Sequence, residues 1–125
     1  MMEPFEYIAG SLAAGVLFVC DHASNVLPQG YGTLGLGQDQ LERHIAYDIG
    51  AAALTRTLAA CFKAPAILAG FSRLLIDPNR GADDPTLVMR LSDGAIIPGN
   101  ARADEKEIAF RLVHYWQPYR QAIRT

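Results

Sequence analysis

Gly15-Val16-Leu17-Phe18-Val19-Cys20 runs directly into Asp21-His22-Ala23-Ser24-Asn25. The first part is short, apolar and rich in β-formers, with no polar alternation, the pattern of a strand buried on both faces. The second part is small and polar, so the strand must end at Cys20. Downstream, Pro28 and the glycines from Gly30 to Gly37 predict a loop. From Asp39 the pattern becomes helical, with Leu41, Ile45, Ile49, Ala52, Leu54 and Leu58 at helical spacing and Asp39 as N-cap. This spacing predicts one helix to about Cys61. Pro65 opens a second apolar run, Ala66-Ile67-Leu68-Ala69, read as another strand, and Ser72 to Asp77 reads as a short third.

Further along, Pro78-Asn79-Arg80-Gly81 and Asp83-Asp84-Pro85 form loop. Leu91-Ser92-Asp93-Gly94 marks a turn, followed by Ala95-Ile96-Ile97 as a short strand or lid. Asp104 caps a last helix reaching at least Tyr119, with Pro118 placed to kink or end it. Strand, loop, helix, strand, loop, helix is the order of an α/β domain. In such open sheets ligands bind beyond the carboxyl ends of the strands. Both polar clusters, Asp21 to Asn25 and Asp77 to Arg80, fall at such ends.

The chemistry-bearing residues each admit two readings. His22, just past a buried strand, suits a zinc ligand with an adjacent carboxylate to orient it; alternatively Asp21 caps the loop and His22 fills space. His44 and Asp48 stand four apart on the expected helix and share a face. They suit two metal ligands, a ligand and its orienter, or a solvated pair supporting the helix. Arg80 offers a planar fork for a carboxylate, with Asn79 a donor beside it; the alternative is a surface pair with Asp83 or Asp84. His114, among apolar helix positions, reads as structural.

The 125 residues suffice for one domain and are too few for two. Half are hydrophobic and 19% charged, a globular composition, and the net charge of −2 offers no footprint for nucleic acid or an anionic membrane. No apolar run reaches the ~18 residues that span a bilayer. The start, Met1 to Glu6, lacks the basic region of a signal peptide, and a cytoplasmic location follows by default. Cys20 and Cys61 read as buried small hydrophobes. Gly30-x-Gly32-x-x-Gly35 neither follows the strand directly nor opens a helix, so it is not a dinucleotide fingerprint.

Taken together, Val19 to Pro28, His44 to Ala51 and Ser72 to Arg80 resemble the N-formylglutamate amidohydrolase family, over about Gly15 to Tyr119. The resemblance implies a Zn2+-dependent amidohydrolase related in fold to the zinc carboxypeptidases and aspartoacylases. Its three layers would be a mixed or mostly parallel sheet flanked by helices. His22 falls where those relatives carry a metal-binding histidine, and Asn79-Arg80 where they grip the substrate carboxylate. Asn25, Ser72 and Arg73, in the same motifs, are taken as further substrate-binding residues. The relatives' His-x-x-Glu pattern is broken here by Asn25, so the second ligand role passes to Asp48 or His44. The implied substrate is a small N-formyl or N-acyl acidic amino acid.

Family members extend further, with another histidine-bearing strand and a glutamate base. The resemblance therefore implies that residues 1–125 form a single incomplete domain without its general base. The alternative expectation is a catalytically incomplete half-domain that binds metal weakly, self-associates or pairs with a second chain. Either way an exposed apolar sheet edge is expected.

Overall fold

The computed structural model describes residues 3–124; the amino-terminal reading at Met1–Met2 lies outside them. A three-stranded sheet in the order β1-β3-β2 organises the chain. Strand β1 is Phe5–Ile8, β2 is Phe18–Cys20 and β3 is Ala66–Ala69. Strand β2 pairs parallel to β3, with Val19 opposite Ile67, and β1 pairs antiparallel, with Tyr7 opposite Ile67. All four residues of β3 are buried, as a central strand requires. β1 is an addition to the expected elements: Phe5-Glu6-Tyr7-Ile8 is short and half exposed, and its pairing with β3 is what makes it a strand.

Helix α1, Gln38–Leu41, and helix α2, Ala51–Phe62, lie between β2 and β3. The expected single helix from Asp39 to Cys61 is therefore corrected. Its middle is broken because tertiary partners take the backbone groups a helix would use. The Ala46 carbonyl accepts from Ser72 Oγ and from the Arg73 N–H, and the Asp48 N–H donates to the His22 carbonyl. Gly50, at φ 85°, then turns the chain into α2. Asp39 is not the N-cap, which is Gly37; it sits in the first turn. Ile49 and Leu54, counted to the buried face, are exposed, and α2 packs instead through Thr55 and Ala59.

The two faces of the sheet carry different cores. Ala66 and Leu68 meet Cys20 and Ala59 under α2. Ile67 and Ala69 face the other way, into a core with Phe71, Leu75, Ile76, Tyr115 and Tyr119. Tyr115 and Tyr119 come from the carboxy-terminal helical stretch, so the sheet lies between helices on both sides. A mixed α/β sheet flanked by helices is thus present.

Ser72 to Asp77, expected as a strand, is a buried turn. Ser72 Oγ accepts from the Leu74 N–H, and the Leu75 N–H donates to the Ser72 carbonyl. Strands β4, Leu91–Ser92, and β5, Ala95–Ile96, form a hairpin through Asp93 and Gly94, both at positive φ. Helix α3, Pro98–Ala101, follows, and a Cβ built on Gly35 would stand 2.8 Å from the Pro98 side chain. The glycine-rich loop thus bends sharply and approaches α3 closely.

Helix α4, Glu105–Arg111, is capped by Asp104, whose side chain accepts the Glu107 N–H. A π-helical turn, Leu112–Trp116, leads into α5, Gln117–Arg124. Pro118 neither ends nor breaks the stretch: it lies in the first turn of α5, just after the widened turn, where its missing N–H is best tolerated. Cys61 is exposed, correcting the expectation that both cysteines are buried, because α2 turns it to solvent while Cys20 faces the core.

Candidate active site

His22 is the centre of a polar cluster beyond the carboxyl end of β2. It is buried, and both ring nitrogens face carboxylates. Nε2 lies 2.7 Å from Asp77 Oδ1, and Nδ1 lies 3.3 Å from Asp48 Oδ2. The two acids differ. The Asp77 side chain is 1% exposed, whereas that of Asp48 is 55% exposed. Asp77 is held further by the Asn79 N–H, which donates to Oδ1 at 2.9 Å.

Two guanidinium groups close the cluster. Arg73 Nη2 lies 3.1 Å from Asp77 Oδ2, with Nη1 4.0 Å from Asp48 Oδ1. Arg80 Nε lies 3.5 Å from the same Asp77 oxygen. Neither guanidinium is aligned for a hydrogen bond, so Asp77 Oδ2 and Arg73 Nε are buried without one. The hydrogen bond that His22 Nε2–H donates to Asp77 raises the His22 pKa above its ordinary value, against the opposing effect of burial. Burial pushes Asp77 up, but the bonds from His22 and Asn79 and the charges of His22 and Arg73 outweigh it. Its carboxyl is held below the usual range.

Asp77 therefore orients the ring and places a proton on Nε2, leaving Nδ1 to face Asp48 and solvent. A carboxylate behind one imidazole nitrogen, with the other turned outward, is the usual support of a metal-binding histidine. Two donors on a tetrahedral zinc ion with bonds of ~2.0–2.2 Å stand roughly 3.4 Å apart. The Nδ1 to Asp48 Oδ2 separation fits two such ligands. Among the described residues, no group of three or more His, Cys, Asp or Glu side chains is placed to hold a metal ion.

The other sequence-derived candidates fall in different places. His44 lies in the turn after α1, exposed, with Nε2 3.3 Å from Asp93 Oδ2 on the β4–β5 hairpin. It does not share a helix face with Asp48, because the helix that would align them is broken; only Asp48 reaches His22. Asn25 is spent on the fold, its Nδ2 donating to the Leu41 carbonyl at 2.9 Å. Ser72 is likewise fully buried in its turn, bonded to Ala46. Arg73 and Arg80 both reach the cluster, through Asp77. Arg80 is not clear of the surface acids, since its Nη1 lies 4.0 Å from Asp84 Oδ2. Asn79 is exposed beside it.

His114, placed in the helix core from its neighbours, is half-buried at the surface, stacked on Phe110 with ring centroids 4.0 Å apart. Sequence reasoning placed Asp77 at the start of a polar cluster but assigned it no role. Its signal was present: an acid closing the buried run Leu74-Leu75-Ile76 and locked before Pro78 has no solvent to satisfy it, so it needs a partner in the core.

A model of the N-formylglutamate amidohydrolase family matches residues 14–125. The crystal structure of gene product Atu2144 from Agrobacterium tumefaciens is similar to this fold at a TM-score of 0.90 and 38% sequence identity. The match covers 98% of this chain and 48% of that one, so the chain spans about half the length of that protein. None of the curated proteins matches. With His22, Asp48 and Asn79-Arg80 all inside the matched span, the chain belongs to the N-formylglutamate amidohydrolase family.

Proposed function

We propose that the chain carries part of the active site of a zinc-dependent amidohydrolase acting on an N-formyl or N-acyl acidic amino acid. The observation that supports this most is His22 set between two carboxylates, buried Asp77 on Nε2 and exposed Asp48 3.3 Å from Nδ1. His22 and Asp48 would hold the ion; bound there, zinc supplies Lewis acidity to the amide carbonyl and to the attacking water. Asp77 keeps the His22 ring in one tautomer. Arg80, 37% exposed, and Asn79 offer donors to the substrate carboxylate from the adjoining loop. Hydrolysis adds water across the acyl C–N bond, and with a formyl group releases formate and the free amino acid.

A second reading is a half-domain that binds metal weakly and is completed by other residues, within one polypeptide or from a second chain. The want of a third metal donor among the described residues favours it. Calorimetric zinc titration combined with an amidase assay on N-formylglutamate separates the two. We expect zinc binding that His22→Ala abolishes and Asp48→Ala weakens at least tenfold, with slow turnover. Zinc affinity indifferent to His22→Ala would overturn the assignment, and tight binding with fast turnover would remove the second reading.

A further inference from the structure

We infer that Trp116 and Arg120 are positioning residues for the carboxylate-binding loop, an inference that rests on the proposed role of Arg80. The loop Pro78-Asn79-Arg80 is gripped from the carboxy-terminal helical stretch through its backbone carbonyls. Trp116 Nε1 donates to the Arg80 carbonyl at 3.0 Å. Arg120 donates from Nε and Nη2 to the Pro78 carbonyl at 3.3 and 3.0 Å, and from Nη2 to the Arg80 carbonyl at 3.1 Å. The Arg120 guanidinium stacks on the Trp116 ring, 4.2 Å from its centroid, so each donor fixes the other.

From the opposite side the loop is held by Asp77. Its Oδ1 accepts the Asn79 N–H and its carbonyl accepts the Arg80 N–H at 3.2 Å. The backbone of Asn79-Arg80 is thus pinned on both sides while the two side chains stay accessible. One helix turn from Trp116, Tyr119 donates to Asp21 Oδ1 at 2.5 Å, which ties the same helix face to the residue preceding His22. Trp116, Tyr119 and Arg120 therefore set the carboxylate loop and the end of β2 in one frame, around a cleft of ≈ 280 Å³ lined by Asp21, Asn79, Tyr119 and Arg120. The π-helical turn at Leu112–Trp116 ends on this face, at Trp116 itself. Such widened turns recur at functional sites.

A loop held in its binding geometry costs less to order when the ligand arrives. Loosening the clamp should therefore weaken carboxylate binding without touching the donors themselves. The test is calorimetric titration of the folded chain with glutarate, in the wild type and in Arg80→Ala, Trp116→Phe and Arg120→Lys. Arg80→Ala should lose most of the affinity. Trp116→Phe and Arg120→Lys should each lose about 3- to 10-fold, at temperatures where circular dichroism shows them fully folded. A merely structural role would lower the unfolding midpoint and leave the affinity of the folded chain unchanged. If Arg80→Ala weakens binding and neither clamp variant does, the clamp is overturned and the Arg80 reading stands. If the wild type does not bind glutarate, or Arg80→Ala binds as well as it does, the Arg80 reading fails and takes the clamp with it. Should Trp116→Phe not fold, Arg120→Lys decides alone.

Discussion

At the scale of single residues, Asp77 carries the most consequence. It is a fully buried acid between an imidazole and two guanidinium groups, and the removal of one partner from such a set leaves charge without compensation. Its pairing with His22 makes the stability depend on pH. The raised His22 pKa contributes stability that is complete below about 6.5 and lost as pH rises through the folded value. The depressed Asp77 pKa contributes stability present above about 3.9 and lost as pH falls through its folded value. The pair therefore acts most fully between these two limits. Asp77→Asn should destabilise the chain by about 3 kcal/mol or more at pH 5, read from urea unfolding. At pH 9 the loss should shrink to what the neutral Nε2–H bond, Arg73 and Arg80 contribute. Equal losses at both pH values would show that the His22 ring does not pair as an imidazolium. In the same variant the His22 ring, followed by NMR, should titrate at lower pH than in the wild type.

At the scale of elements, the carboxy-terminal helical stretch is built from local signals and then used for distant ones. Asp104 accepts the Glu107 N–H at 2.9 Å, and Arg111 Nε reaches back one turn to Glu107 Oε2 at 2.7 Å. The same Arg111 is 2% exposed and donates from Nη1 to the Leu75 carbonyl and Asn100 Oδ1. Asn100 in turn donates to the Leu74 and Met89 carbonyls. This chain of bonds holds the buried turn that ends in Asp77. Asp104→Ala removes only the cap, at an exposed position, and should cost about 1 kcal/mol in urea unfolding. Arg111→Ala strands Asn100 and the Leu75 carbonyl inside the core and should cost several times more. A similar cost for the two would mean that the internal network contributes no more than a helix cap.

At the scale of the whole molecule, the sheet has two edge strands, β1 and, opposite it, β2. That strand pairs only with β3 among the described strands, and Leu17 and Val19 are 36% and 40% exposed. Tyr7 and Leu12, also exposed, line an apolar cleft of ≈ 550 Å³ with Phe5, Leu17 and Ile67. An unpaired strand edge beside exposed apolar surface invites pairing with another strand. The expected consequence is association that rises with concentration in sedimentation, and Val19→Lys should suppress it. A chain monomeric at every concentration, with or without the lysine, would mean that this edge is protected in a way the fold does not display.

Much of this architecture was legible locally. The apolar runs at β2 and β3, the Asp104 cap and the polar break after Cys20 all act through neighbours in sequence, so their pattern reports them directly. The expectation that His22 meets Asp48 or His44 came from the family resemblance and not from local pattern, because Asp48 stands 26 residues beyond His22. What only the tertiary structure decided is which groups meet. Whether residues 39 to 61 form one helix depended on Ala46 and Asp48 backbone groups that Ser72, Arg73 and His22 claim. That break sent His44 to Asp93 and left Asp48 to His22. The partner on the far side of His22, Asp77, stands 55 residues away, and no period or propensity reaches so far. Local pattern specifies which surface of a segment is apolar; which distant polar group satisfies a buried one is settled only when the segments pack.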